Sequence, residues 1–176
     1  MKLSQYLTAS AFLLTLPFFG CGGSVVTTKT PTIYMAGYQR NTSSVISAYT
    51  WTTPTSSSTS TPSSGTATSL TAPSGTTNPW ANSIAVSGSD VYVVGYQNTG
   101  KDVAMVWKNG TATSLTDGTQ YAIANSIAIS GSDVYIAGVQ ASATTGYYIA
   151  TLWKNGTAGN LTDGSTNAVA SAVLVQ

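Results

Sequence analysis

The 176 residues carry six basic and five acidic side chains, no histidine and one cysteine, for a formal net charge of +1. Charged residues make up 6% of the chain, against about 25% in ordinary soluble domains, so there is little field to gather phosphate backbones and nucleic acid is not an expected partner. Without histidine, and with a single cysteine, Ser-His-Asp and Cys-His nucleophile systems and most zinc or transition-metal sites are excluded; no cofactor and no enzymatic activity are expected.

From the N-terminus, Lys2 gives a short basic opening, Leu7–Phe19 is an apolar run broken by small residues and Pro17, and Gly20-Cys21 follows. Such a run is shorter than the roughly 20 residues a bilayer span needs, and the layout is that of a removable signal peptide over residues 1–20. A small residue followed by cysteine resembles the lipobox of bacterial lipoproteins, with Phe18 and Phe19 departing from the residues usual there. The resemblance implies lipidation of Cys21, contact with the membrane through that lipid anchor, and outer-membrane sorting directed by Gly22. The alternative, an ordinary secretory signal, would leave Cys21 as a free thiol in an exported protein. Residues 21–32 then read as a lipid-anchored flexible tether.

Residues 33–176 are expected to form one all-β repeat domain. Ala81–Tyr92 (ANSIAVSGSDVY) recurs 43 positions later as Ala124–Tyr135 (ANSIAISGSDVY). A period of that size is the mark of an array of supersecondary units. Each unit holds four runs of strand character, here called a to d. Run a is Ser83–Ser87 and run b is Val91–Gly95, separated by a Gly-Ser turn; run c is Val103–Lys108 and run d is Thr111–Thr116, separated by Asn109-Gly110. Asn-Gly tolerates the positive φ that a two-residue type I′ hairpin requires. The next unit repeats the order as Ser126–Ser130, Val134–Gly138, Ile149–Lys154 and Thr157–Thr162. An earlier unit starts late, with Ile33–Gly37 as run b, Val45–Trp51 as run c and Gly65–Thr71 as run d, while Ser171–Val175 reads as one more run a.

The order b-c-d, a-b-c-d, a-b-c-d, a resembles the strand exchange by which β-propellers close, and phrases such as VYVVGYQ, VYIAGVQ, VWKNG and LWKNG resemble propeller-type repeats of exported bacterial proteins. That resemblance implies three four-stranded antiparallel blades. Known propellers have four to eight, so three readings stay open: half of a six-bladed ring completed by a homodimer, a truncated array, or a β-trefoil. Within the first unit, Thr52–Ser64 (TTPTSSSTSTPSS) replaces the Asn-Gly turn and is expected to be a disordered insertion spanning 52–64.

Two residue series remain to be given roles. Trp51, Trp107 and Trp153 each end a run c, and Tyr34, Tyr92 and Tyr135 recur in run b. Stacking platforms for a sugar are the functional reading, and packing between sheets is the structural one favoured by the two apolar faces of run c. Trp80 stands outside both series and is expected to plug a gap or an interface. Asp90, Asp133, Asp117 and Asp163 fall at repeated turn positions, where Asp caps backbone N–H groups; Asp102 is expected on a solvated loop. The b–c loops differ from unit to unit, while the a–b and c–d turns are the same in the two complete units. Recognition usually sits on such loops, which makes Gln39, Arg40, Asn41, Gln97, Asn98, Lys101, Gln140 and Tyr147 the candidate ligand-binding residues, for a glycan or an envelope protein.

Overall fold

The computed structural model describes residues 32–40, 46–54, 66–72 and 77–176, and all regular structure in them is β-strand. Three antiparallel meanders follow one another. The first sheet is β1 (Thr32–Arg40), β2 (Ile46–Pro54) and β3 (Thr66–Ser69). The second is β4 (Thr77–Ser87), β5 (Asp90–Asn98), β6 (Asp102–Lys108) and β7 (Thr111–Ser114). The third is β8 (Ala122–Ser130), β9 (Asp133–Ala141), β10 (Tyr148–Lys154) and β11 (Thr157–Asn160). No helix among the described residues is long and apolar enough to cross a membrane.

Turn chemistry sets the hairpins. Asn109 and Gly110 have φ of 51° and 83°, and Asn155 and Gly156 have the same pair of values, as a type I′ turn demands. At the a–b turns only the glycine is positive, Gly88 at 61° and Gly131 at 60°, which suits a type II′ turn.

Alternation along β6 decides how the sheets stack. Val103, Met105 and Trp107 join Val93 with Ala48 and Leu70 of the first sheet in one core. Ala104 and Val94 face the other way and join Ala124, Ile127, Ile136 and Trp153 of the third sheet in a second core. The second sheet is therefore covered on both faces, which is why its central strands read as near-continuous apolar runs. Trp107 and Trp153 are completely buried, so packing is their role. The a strands lie at the seams: β4 packs on β1 and β2, and β8 packs on β4, β5 and β6.

Three expectations change. Thr52–Pro54 are not insertion but the end of β2, paired with Ile33, Tyr34 and Thr32, and Thr53 is buried; the rest of that tract, 55–64, lies outside the described residues, as do 1–31 with the signal peptide and Cys21. Thr32 begins β1 rather than ending the tether. The C-terminal run Ser171–Val175 is not part of any ladder, and its register is shifted by one residue. Asn125 Nδ2 donates to the Ala170 carbonyl (3.0 Å), as Asn82 Nδ2 does to that of Ala124 (2.9 Å). The Val173 amide donates to Ser126 Oγ (3.2 Å), as that of Ile127 does to Ser83 Oγ (3.4 Å). Val173, not Ala172, thus stands where Ile84 and Ile127 stand. A slip of one residue exchanges the two faces of a strand, and here it turns Val173 and Val175 inward and leaves Leu174 80% exposed.

Candidate functional site

The two ends of the stack have opposite characters. At the end carrying the a–b and c–d turns, Asp90 does not cap the backbone as expected of it. It pairs with Lys108 Nζ (2.8 Å) and accepts from Asn109 Nδ2 (2.8 Å), while Asn109 Oδ1 accepts from the Val91 amide (2.9 Å). The third sheet repeats the cluster with Asp133, Lys154, Asn155 and Val134. Each lysine also lies 5.2 Å from the ring centre of Tyr92 or Tyr135. The ammonium and then the amide hold the Asp90 and Asp133 carboxyls below the usual carboxylate value, and Asp90 and Asp133 push Lys108 and Lys154 up. These pairs leave that end internally satisfied. At the opposite end, in the loops after run d, Asp117 and Asp163 do cap as expected, each accepting from a backbone amide two residues on (Thr119 and Ser165, 2.9 Å) and from that residue's hydroxyl (2.7 Å), which lowers both carboxyls.

The b–c end holds the candidate binding residues. Gln39 is exposed on β1, Arg40 ends that strand, and Asn41 lies outside the described residues. Gln97 is a strand residue 2% exposed, and its Oε1 has no hydrogen-bond partner. Asn98 donates to Asp102 Oδ1 (2.9 Å) and accepts from the Gly100 amide (3.1 Å), closing a tight loop with Gly100 at a φ of 102°. Asp102 is consequently a half-buried residue opening β6, not part of a solvated loop. Lys101 Nζ donates to the Thr119 carbonyl. Gln140 is half-buried in β9, and Tyr147 stands 46% exposed beside β10. Among those described, Gln97 faces inward, and Asn98 and Lys101 bond within their own neighbourhood.

What the end does contain is a cleft of about 250 Å³ between the second and third sheets, lined among others by Asp102, Tyr121, Asn125, Val139, Tyr148 and Val169. Tyr121 and Tyr148 are each 43% exposed. Sequence reading passed over both because they stand at strand starts outside the repeated Tyr series; their signal is aromatic side chains beside a loop end. The matching place between the first and second sheets is filled instead. Trp80 lies between Tyr38 (ring centres 4.0 Å apart) and Tyr96 (6.1 Å, interplanar angle 3°), the interface role expected of it. Burial, with the Asp102 charge and Tyr38 adding to it, pushes the Tyr96 hydroxyl up. In the third sheet Ile123 replaces Trp80 and Val139 replaces Tyr96, and the smaller side chains open the cleft.

Chemically the cleft offers phenol rings, one carboxylate and one carboxamide. Among the described residues no three His, Cys, Asp or Glu side chains come together as a metal site. Comparison with known protein families, curated proteins and solved structures finds no match for this chain.

Proposed function

We propose that the chain is a lipid-anchored, non-enzymatic binding or scaffold protein of the bacterial envelope, built from propeller blades and carried on Cys21 at the outer membrane. Blades are the finer reading of the three sheets: each is a separate meander, and consecutive sheets stack face to face through their a strands. A β-trefoil instead shares its hairpins in one barrel. The observation that carries the binding role is the b–c-end cleft lined by exposed Tyr121 and Tyr148 with Asp102 and Asn125. The cleft of about 270 Å³ at the other end is rimmed by Lys108 and Asn155, which are already paired with Asp90 and Asp133.

Those tyrosines favour a glycan or a small ring-bearing group over a broad protein ligand. A volume of about 250 Å³ is below the roughly 300–1,000 Å³ of sites that enclose a drug-sized molecule, so it takes one ring or the end of a longer chain. The rings would stack on it, with Asp102 and Asn125 orienting its hydroxyls. The test is binding of the Cys21→Ser chain to a panel of immobilised oligosaccharides and to detergent-solubilised envelope extract. Retention that falls about tenfold (~1.4 kcal/mol) in Tyr148→Ala is expected. No retention by any of the probes, or retention unchanged in Tyr148→Ala and Tyr121→Ala, overturns the reading.

A further inference from the structure

The second and third sheets show what an a strand requires of the strand beside it. A Cβ at Gly95 would lie 1.9 Å from the Trp80 carbonyl oxygen, and one at Gly138 would lie 2.1 Å from that of Ile123. Both glycines are obligatory because the a strand, bulged between Ala81 and Ser83 and between Ala124 and Ser126, crosses directly over them. Gly37 occupies the same place in β1, and among the described residues a Cβ there would meet only the Trp51 ring, at 3.2 Å, with no backbone over it. β1 is the edge of its sheet and carries the notch for a strand that the described residues of the first sheet do not supply.

The C-terminal segment has the opposite deficiency. Residues 168–175 already sit as an a strand sits on the sheet before it: Ala168 donates to the Tyr148 carbonyl (2.8 Å), Ala170 to that of Gly138 (3.2 Å), and Asn125 and Ser126 bond it as Asn82 and Ser83 bond β8. Burial alternates along it, with Ala168 and Ala170 inward, then a break at Ser171–Ala172, then Val173 and Val175 inward. The break falls where β4 and β8 bulge. Leu174 points outward at 80% exposure, whereas Ala85, at the same place in β4, packs against the core of the following sheet. The segment is formed as an inner strand and has no b strand beside it among the described residues.

We propose that residues 168–175 of one copy add to β1 of a second copy as its missing inner strand, and that the exchange is reciprocal. An edge strand with a matching extended segment is the arrangement for β-augmentation, and a twofold axis makes the two contacts identical. The register follows from the complete sheets. Ala81 faces Gly95 and Ala124 faces Gly138, so Ala170 faces Gly37 of the second copy; Ala85 faces Tyr92 and Ala128 faces Tyr135, so Leu174 faces Tyr34. The segment need not leave its seat on the third sheet. The same docking covers Ile33 and Met35 of each copy, which are 44% and 43% exposed, with the third sheet of the other. Two copies then make six sheets, a number within the range in which such rings close.

The inference needs only the strand order and the notch, not a ligand, so its test is separate from the binding assay. Sedimentation of the Cys21→Ser chain is expected to give twice the chain mass, and Gly37→Val to give a single-chain mass with an unchanged β spectrum. Cα atoms directly opposite in an antiparallel pair are about 4.5–5.5 Å apart, within disulfide range. On the Cys21→Ser background, a Tyr34→Cys chain mixed with a Leu174→Cys chain is therefore expected to give a covalent dimer containing one copy of each. A single-chain mass for the Cys21→Ser protein overturns the proposal, as does a disulfide that forms only within one chain in the doubly substituted protein.

Discussion

Met35 in the first sheet is 43% exposed, while Val93 and Ile136, at the same place in the second and third sheets, are each 1% exposed. Trp51 is half-buried where Trp107 and Trp153 are sealed. Strands b, c and d recur in all three, and what the first sheet lacks among the described residues is an a strand and a sheet in front of it. An a strand therefore does two things at once: it completes its own sheet by pairing with b, and it seals the core of the sheet before it. The first sheet also lacks the Asp-Lys-Asn cluster, since Thr32 stands before its run b and Thr52-Thr53 follow its run c where the others have Lys-Asn.

The largest difference between the sheets is expected from the three equivalent glycines. Gly95→Ala and Gly138→Ala drive a methyl into a strand carbonyl and are expected to cost more than about 3 kcal/mol, the range of severe overpacking. Gly37→Ala is expected to leave the chain folded and to weaken only the association of copies. Thermal melts and far-ultraviolet circular dichroism of the three variants separate these outcomes. Equal damage at all three positions would mean that β1 is already covered within its own chain.

A smaller difference is expected between the two sealed tryptophans. Trp107 Nε1 donates to the Thr71 carbonyl (2.7 Å), tying the second sheet to the first, whereas Trp153 Nε1 is buried without a partner. Replacing either by Phe removes similar apolar area, but only Trp107→Phe breaks a hydrogen bond. Urea melts are expected to show Trp107→Phe as about 1 kcal/mol the more costly. Equal losses would show that the bond to Thr71 contributes nothing to the junction.

The smallest effect is expected from pH across the neutral range. Folding lowers Asp90, Asp133, Asp117 and Asp163, so their contribution is present above the unfolded carboxylate value and is lost as pH falls through the folded values. Folding raises Lys108 and Lys154, so theirs is present below the unfolded lysine value and is lost as pH rises through the folded values. No histidine titrates between these limits. The melting temperature is expected to be flat from about pH 5 to 9 and to fall on the acid side. Asp90→Asn and Asp133→Asn should blunt that acid fall, because each removes a carboxylate that must otherwise be protonated.

Much of the strand plan was legible in the sequence. The repeated runs placed ten of the eleven strands to within a few residues, and Asn109-Gly110 and Asn155-Gly156 gave their turns, because one dipeptide tolerates that backbone. The binding end was less legible. Gln97 looked like a loop residue because Gln follows the run in every unit, but β5 continues to Asn98 and its pleat turns Gln97 inward. Tyr121 and Tyr148 join one cleft only because the second and third sheets stack there.

The sequence by itself determined the all-β class, the repeat period, the hairpin turns and the strand phase, because these depend on local backbone preference and on side-chain alternation within one run. Only the tertiary structure decided the register of the C-terminal segment. Ser171–Val175 fits two registers equally well as a string, and the choice belongs to Asn125 and Ser126 on a neighbouring strand. It also decided that Asp90 and Asp133 serve ion pairs rather than backbone caps, since their lysines arrive from a strand eighteen or more residues away. And it alone showed the notch at Gly37: a glycine in a string cannot say whether a strand lies over it, whereas in the structure no carbonyl of the described residues does.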